Sequence, residues 1–243
     1  WQLVILAFGV AFLYASVGFG GGSGYLAVMS LFAISTHLIA STALSLNILA
    51  ASVAFLIYWQ SGYFEPSLLW PFLLTSLPAA FLGGYIQLPD RLYLIILYAA
   101  LTYVGLQLLF WRQPTEQQPR RYSWLAILSS GFLIGLLSGL VGLGGGIFLS
   151  PLIVLAGWGT PKQAAASSAG FIVVNSVSGL LGRIIGGNFA FGLLGATLLP
   201  VGFVGALLGS RLGARYLSSA FLRRVLGIIL LLTVLSYVSH FFE

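Results

Sequence analysis

The sequence predicts an all-α membrane protein of ten helical segments arranged as two inverted five-segment repeats. Three observations carry that expectation: an apolar composition, the spacing of turn signals, and a set of motifs that occurs twice. The 243 residues are 59% hydrophobic and 6% charged, with a mean hydropathy of +1.06. A water-soluble domain carries roughly 25% charged residues, so this chain lacks the polar side chains to cover a water-facing surface. It contains no Cys, and no redox compartment can be read from it. A net charge of +6 would suggest nucleic acid in a soluble protein. Here Lys and Arg lie between apolar runs and report topology instead, so no nucleic-acid partner is expected. The chain begins at Trp1, and its first segment lacks the basic n-region of a cleavable signal peptide.

Turn signals cut the apolar runs at roughly 1–17, 19–34, 38–59, 67–87, 92–111, 123–140, 143–157, 162–186, 189–210 and 220–241. A full crossing needs about 20 residues. Segments 19–34 and 143–157 are short, and each opens on a glycine cluster: Gly18-Phe19-Gly20-Gly21-Gly22 and Gly142-Leu143-Gly144-Gly145-Gly146. The one clearly polar stretch, 112–122, holds two prolines, one acid and three arginines, and reads as a linker between a first repeat at 1–111 and a second at 123–243. Placing this linker in the cytoplasm puts Arg112, Arg120, Arg121, Lys162, Arg211, Arg215, Arg223 and Arg224 inside, and Arg91 and Arg183 outside. That asymmetry obeys the positive-inside rule and puts both termini outside. The two short segments either cross fully or close half-membrane hairpins; both arrangements give the same charge count.

The two halves match in order. GFGGG at 18–22 aligns with GLGGG at 142–146, Ala40-Ser41-Thr42-Ala43 with Ala166-Ser167-Ser168-Ala169, and Leu77-Pro78-x-x-Phe81-x-Gly83 with Leu199-Pro200-x-x-Phe203-x-Gly205. Three blocks at offsets of 124, 126 and 122 indicate a duplication. An odd number of net crossings per half turns the second copy over. Inverted repeats with interrupted helices are a recurrent transporter design, with the substrate at the repeat interface near the midplane.

These paired G-[FL]-G-G-G elements, each followed by an apolar run, a turn and an A-[ST]-[ST]-A helix, resemble the sulfite exporter (TauE/SafE) family over about residues 9–237. The resemblance implies a multi-pass carrier of a small sulfur-containing anion, such as sulfite or a related organosulfur acid, in a prokaryotic cytoplasmic membrane. The second element ends Gly146-Ile147 and lacks the Ser23 of the first, so any role for Ser23 cannot be symmetric.

The residues themselves point the same way. Glycine clusters let helices pack closely. They also break the chain at membrane depth and free backbone N–H groups at a helix start, which carries about half a positive charge and binds anions. Gly20, Gly21, Gly22, Gly144, Gly145 and Gly146 are therefore candidate substrate-binding positions, with Ser23 as an added hydroxyl donor. On the first A-S-T-A helix Ser41 and Ser45 share a face and Asn47 lies off it; on the second, Ser168, Asn175 and Ser178 share one. Their alternative role is interhelical hydrogen bonding. Arg183 falls near the outer end of its segment with no acid beside it in sequence, either snorkelling to the interface or attracting anions to a vestibule. Glu65, Asp90, Glu116 and Glu243 all fall in loops or at a terminus. No carboxylate is expected in a membrane core, where proton-coupled pumps usually keep one. A coupling proton or counter-ion would travel with the substrate or through His37; no cofactor, metal or catalytic site is expected, and a homo-oligomer is compatible with the sequence. Two other readings compete. One is a channel-like anion pore with the same fold. The other is an intramembrane serine protease using Ser23 in Gly21-Gly22-Ser23-Gly24, for which His37 and His240 are the only bases.

Overall fold

A computed structural model describes residues 1–110, 123–215 and 219–241, with side chains outside 213–223 and 236–243. The predicted linker 112–122 lies outside the described residues. The described chain forms ten α-helices: α1 (Gln2–Ser16), α2 (Gly22–Leu31), α3 (Thr36–Gln60), α4 (Trp70–Tyr85), α5 (Asp90–Phe110), α6 (Trp124–Val141), α7 (Gly146–Leu155), α8 (Pro161–Ile185), α9 (Gly192–Arg215) and α10 (Ser219–Phe241). A 3-10 turn, Pro66–Leu68, precedes α4. Five of these helices are long and apolar enough to cross a membrane; α2 and α7 have only 10 residues each. At 1.5 Å per residue, such a helix reaches about half the ~30 Å hydrocarbon thickness.

Local chemistry sets several boundaries. Thr160 and Gln163 close a capping box on α8, with Pro161 at the first helical position, where its missing N–H costs nothing. Ser123 Oγ accepts from Ala126 N at the start of α6. Pro78, Pro151 and Pro200 sit inside α4, α7 and α9, each removing one ladder hydrogen bond. The radial order of polarity is the reverse of a soluble protein's. Leu125 and Leu193 are each 80% exposed, whereas Asn47, Asn175, Ser167 and Ser168 are fully buried.

Glycine spacing explains which helices meet. On α6, Gly131, Gly135 and Gly139 sit against the backbones of Phe72, Ser76 and Ala80 on α4. Both series advance by four residues, so the two helices run parallel with one small-residue ridge in contact. A Cβ on Gly139 would lie 2.0 Å from Ala80 O. On α9, Gly205 and Gly209 meet Phe8 and Phe12 of α1 in the same way. Gly105 of α5 and Gly227 of α10 face each other. Close approach of this kind drives helix association in lipid, where apolar burial gives no advantage.

The main helix pairs map onto one another when the halves are exchanged, although α2–α10 and α1–α2 have no counterpart of similar extent in α7–α5 and α6–α7. The α4–α6 pair becomes α9–α1, α4–α8 becomes α9–α3, and α2–α3 becomes α7–α8, while α3–α8 and α5–α10 each map onto themselves. At the centre α3 and α8 run antiparallel: the end of α3 lies by Gly170 and Lys162, near the start of α8, and Ser41 lies by Ala190, just past its end. The register differs from the motif alignment by one residue. Both helices have 25 residues, displaced by 125 positions, and Gly18 packs on Ala165 where Gly142 packs on Ala40. Helix ends and the glycine contacts decide this register; the A-[ST]-[ST]-A letters do not.

Gly139→Ala is expected to destabilise the fold by about 1–3 kcal/mol, the usual cost of overpacking. Gly9→Ala in α1, whose added methyl meets nothing within 4 Å, should be neutral or stabilising by up to about 1 kcal/mol. Thermal unfolding of the two variants in detergent checks this; equal melting shifts would refute the contact.

Candidate functional site: a glycine cage around Asn47

Each glycine of the paired motifs has its own physical reason. Gly18 (φ +82°) and Gly142 (φ +95°) end the preceding helices, and Gly21 (φ +97°) and Gly145 (φ +78°) start the following ones. These left-handed angles cost an L-residue roughly 1–2 kcal/mol, so the first and fourth positions of each motif need glycine. The third and fifth need it for space, and Gly144 (φ +74°), third in the second motif, needs it for its backbone as well. A Cβ on Gly22 would lie 2.4 Å from Leu143 O, one on Gly144 2.8 Å from Asn47 Nδ2, and one on Gly146 2.5 Å from the Ile172 side chain. The two breaks therefore touch each other, through Gly22 and Leu143. Both short helices start at this junction. The first amides of α2 and α7 have no acceptor within their own helices, and each helix brings a partial positive charge to one buried point.

Asn47 occupies that point from α3. Its Nδ2 donates to Gly142 O at 3.3 Å, and its buried Oδ1 has no protein partner. Cβ atoms on Gly20, Gly22 and Gly144 would each crowd this amide. The matching place on α8 belongs to Ile172, which packs on Gly20, Gly144 and Gly146. At this pair of positions the cage carries an amide from α3 and a branched alkyl group from α8. Ser176 Oγ lies near Gly144 and has no partner; Ser168 presents its carbonyl to Gly146, and its hydroxyl is unpartnered and buried. Behind the two N-caps stand aromatic rings, Tyr25 at Gly21 and Phe171 at Gly145.

The other predicted positions do other work. Ser23 and Tyr14 share a hydrogen bond of 2.8 Å that ties α2 to α1. Ser41 Oγ accepts from Ala190 N, and Ser45 donates to Ser41 O within α3. Asn175 Nδ2 donates to Phe171 O, leaving Oδ1 buried and unpartnered. Ser178 donates to Leu77 O, the carbonyl just before Pro78. These five side chains bond within a helix, as Ser45 and Asn175 do, or between elements, as Ser23, Ser41 and Ser178 do. Arg183 lies about three turns along α8 from Ile172. Its Nη2 donates to Gly139 O at 3.2 Å and Leu140 O at 2.7 Å. Tyr93 Oη donates to Val141 O, and Asn47 serves Gly142. Four consecutive carbonyls at the broken end of α6 are therefore satisfied by side chains of three other helices.

Sequence reasoning missed Ile172, Ser176, Tyr14 and Tyr93. The 125-residue register would have found Ile172 as the counterpart of Asn47. For the protease reading, Ser23 needs a base; its hydroxyl meets Tyr14, His37 is exposed at the start of α3, and the His240 side chain lies outside the described residues.

The family model described as sulfite exporter TauE/SafE matches residues 3–237. A protein of Sinorhizobium fredii named probable membrane transporter protein y4hK is 34% identical over 237 residues, covering 95% of each chain. The probable membrane transporter protein YunE of Bacillus subtilis is 34% identical over 104 residues, which is 42% of this chain and 36% of that one. No solved structure matches significantly.

Gly145→Ala separates the two demands on that residue. Gly62 also has a positive φ but open space around it, so Gly62→Ala should cost about 1–2 kcal/mol from the backbone alone. Gly145→Ala adds a clash, since its methyl would sit 2.8 Å from Ile134 and Phe171 atoms, and should lower the melting temperature further. Equal shifts would mean that the cage wall yields freely.

Proposed function

The chain belongs to the sulfite exporter TauE/SafE family of membrane transporters, and from that premise we propose that it carries a small sulfur-containing or organic oxyanion, sulfite- or sulfonate-like, by alternating access at the glycine cage. The observation that carries this reading is the convergence of two helix N-termini on the Asn47 amide, with every described charged side chain elsewhere. Glu65 and Asp90, the acids whose side chains are described, are exposed. A cage of backbone amides and one neutral side chain attracts an anion without a fixed counter-charge to trap it, which suits a carrier that must release its load. Gly20–Gly22, Gly144–Gly146 and Asn47 supply the donors, and Ser168 and Ser176 add hydroxyls.

The exchange of packing partners between halves supports two inverted repeats, 1–111 and 123–243, in a prokaryotic cytoplasmic membrane. The linker 112–122 would lie on the cytoplasmic side and both termini outside, as the arginine distribution requires. The cage is buried from both faces, so passage needs movement. The proline-bearing helices α4 and α9, each packed on the other half's broken hairpin, are the elements that would rock. Without a core carboxylate among the described side chains, a coupling proton would ride on the substrate itself, or a counter-ion would replace it.

Asn47→Asp tests the reading with almost no change in shape. A carboxylate among the converging N-termini fills the anion's place with its own charge and should lower sulfite uptake into proteoliposomes at least about tenfold, a barrier change of ~1.4 kcal/mol, while the protein still folds. Uptake at the wild-type rate would sink the cage as the binding site. Counterflow of labelled sulfite would accompany a carrier; steady conductance without counterflow would favour an anion pore instead.

A further inference from the structure

A second place in the chain has the chemistry to hold an anion. At the end of the bundle where α3 begins and α8 ends, a narrow recess of about 20 Å³ is lined by Thr36, His37, Gln87, Tyr93, Arg183 and Asn188, together with apolar residues of the α4–α5 connection and α6. Arg183 is only 5% exposed. Among the described residues no carboxylate pairs with it; Asp90 hydrogen-bonds the Thr36 hydroxyl and is itself exposed. The carbonyls of Gly139 and Leu140 occupy Nη2, and the helix end they belong to offsets about half a charge. Nε is buried without a partner. A buried cation left partly uncompensated costs several kcal/mol unless something pairs with it. The recess also holds one unused acceptor, Asn188 Oδ1, because Asn188 Nδ2 is committed to Gly84 O and Tyr85 O.

We propose that this recess is an anion-capture site, separate from the glycine cage, that takes a small monovalent oxyanion on Arg183 before it moves inward. A monoanion fits the residual charge better than a dianion. An oxyanion that still carries a hydrogen, as hydrogensulfite does, would also satisfy Asn188 Oδ1. Gln87 at the mouth, with its amide donating to Gly186 O, is exposed and borders the entry. Capture at this point raises the local anion concentration three turns of α8 from the cage, and it draws on the same guanidinium that holds the broken end of α6. Its place in a transport cycle rests on the anion-carrier reading; the binding itself does not.

Full-length protein in proteoliposomes, with sulfite as the transported probe, tests the site through KM and Vmax. Sulfite and methanesulfonate binding to the purified protein, followed by thermal shift, supplies a second readout. Gln87→Glu adds a negative charge to an exposed position, leaves Arg183 in place, and should raise KM for sulfite roughly tenfold or more with little change in Vmax, because like charges across a binding surface are costly. Arg183→Lys keeps the charge and should retain part of the binding; Arg183→Gln should lose it. Wild-type KM and binding in both Gln87→Glu and Arg183→Gln would overturn the proposal. The two sites fail separately. Loss of transport in Asn47→Asp with wild-type KM in Gln87→Glu leaves the cage standing and removes the capture site. Normal transport in Asn47→Asp with a raised KM in Gln87→Glu does the reverse.

Discussion

A backbone that breaks inside hydrocarbon must find partners for its amides and carbonyls within the protein, because no water is there to supply them. The rest of this fold can be understood from that demand. The carbonyl side of the second break is met by Arg183, Tyr93 and Asn47, drawn from α8, α5 and α3. The amide side is met only in part, since the first turns of α2 and α7 point their unpaired donors at one buried junction. Under the proposed anion-carrier reading, the ligand would complete the end of the break that the protein leaves open. Glycine is needed at both ends, for positive φ at the turns and for room where the two breaks touch.

The periphery was more legible in the sequence than the centre. Ten apolar runs and their turn signals anticipate ten helices within a few residues, because hydrocarbon length and proline or glycine punctuation act locally. The doubled motif anticipates that the glycine elements meet. What was hidden is side-chain direction. Ser41, Ser45 and Ser178 sit at helical spacings that suggest a polar lining, yet each hydroxyl is taken by a neighbouring backbone group. Inside a bilayer a serine can satisfy itself on its own helix or the next, so its presence marks burial rather than a pathway. Asn47 differs because its amide reaches across to Gly142 of the other half, whereas the Asn175 amide bonds Phe171 O on its own helix. Ile172 left no polar signal at all; only the helix register exposes it as the counterpart of Asn47.

Under the inverted-repeat reading, that pair would make a duplicated architecture directional. Two copies of one backbone element give a junction with near two-fold symmetry, and an anion seated on it would meet equivalent amides from each side. Replacing one of two equivalent residues with an amide and the other with a branched alkyl group breaks the equivalence where the ligand would sit, without disturbing either helix. Arg183 adds a second asymmetry, since it serves the break in one half only.

The partnership of α1 with α9 and of α6 with α4 has a consequence for how such a protein is made and where it came from. Helix α1 finds its close neighbour α9 far along the chain, so the face of α1 at Phe8 and Phe12 stays uncovered until the glycine ridge of α9, Gly205 and Gly209, has been made. Neither half could complete its own packing if expressed alone. Under the inverted-repeat reading, an ancestor encoding a single half could have worked only as a pair of identical chains inserted in opposite directions, each lending its proline-kinked helix to the other's broken hairpin. On that reading, gene fusion replaced the requirement for dual insertion with the eleven residues of the polar stretch 112–122.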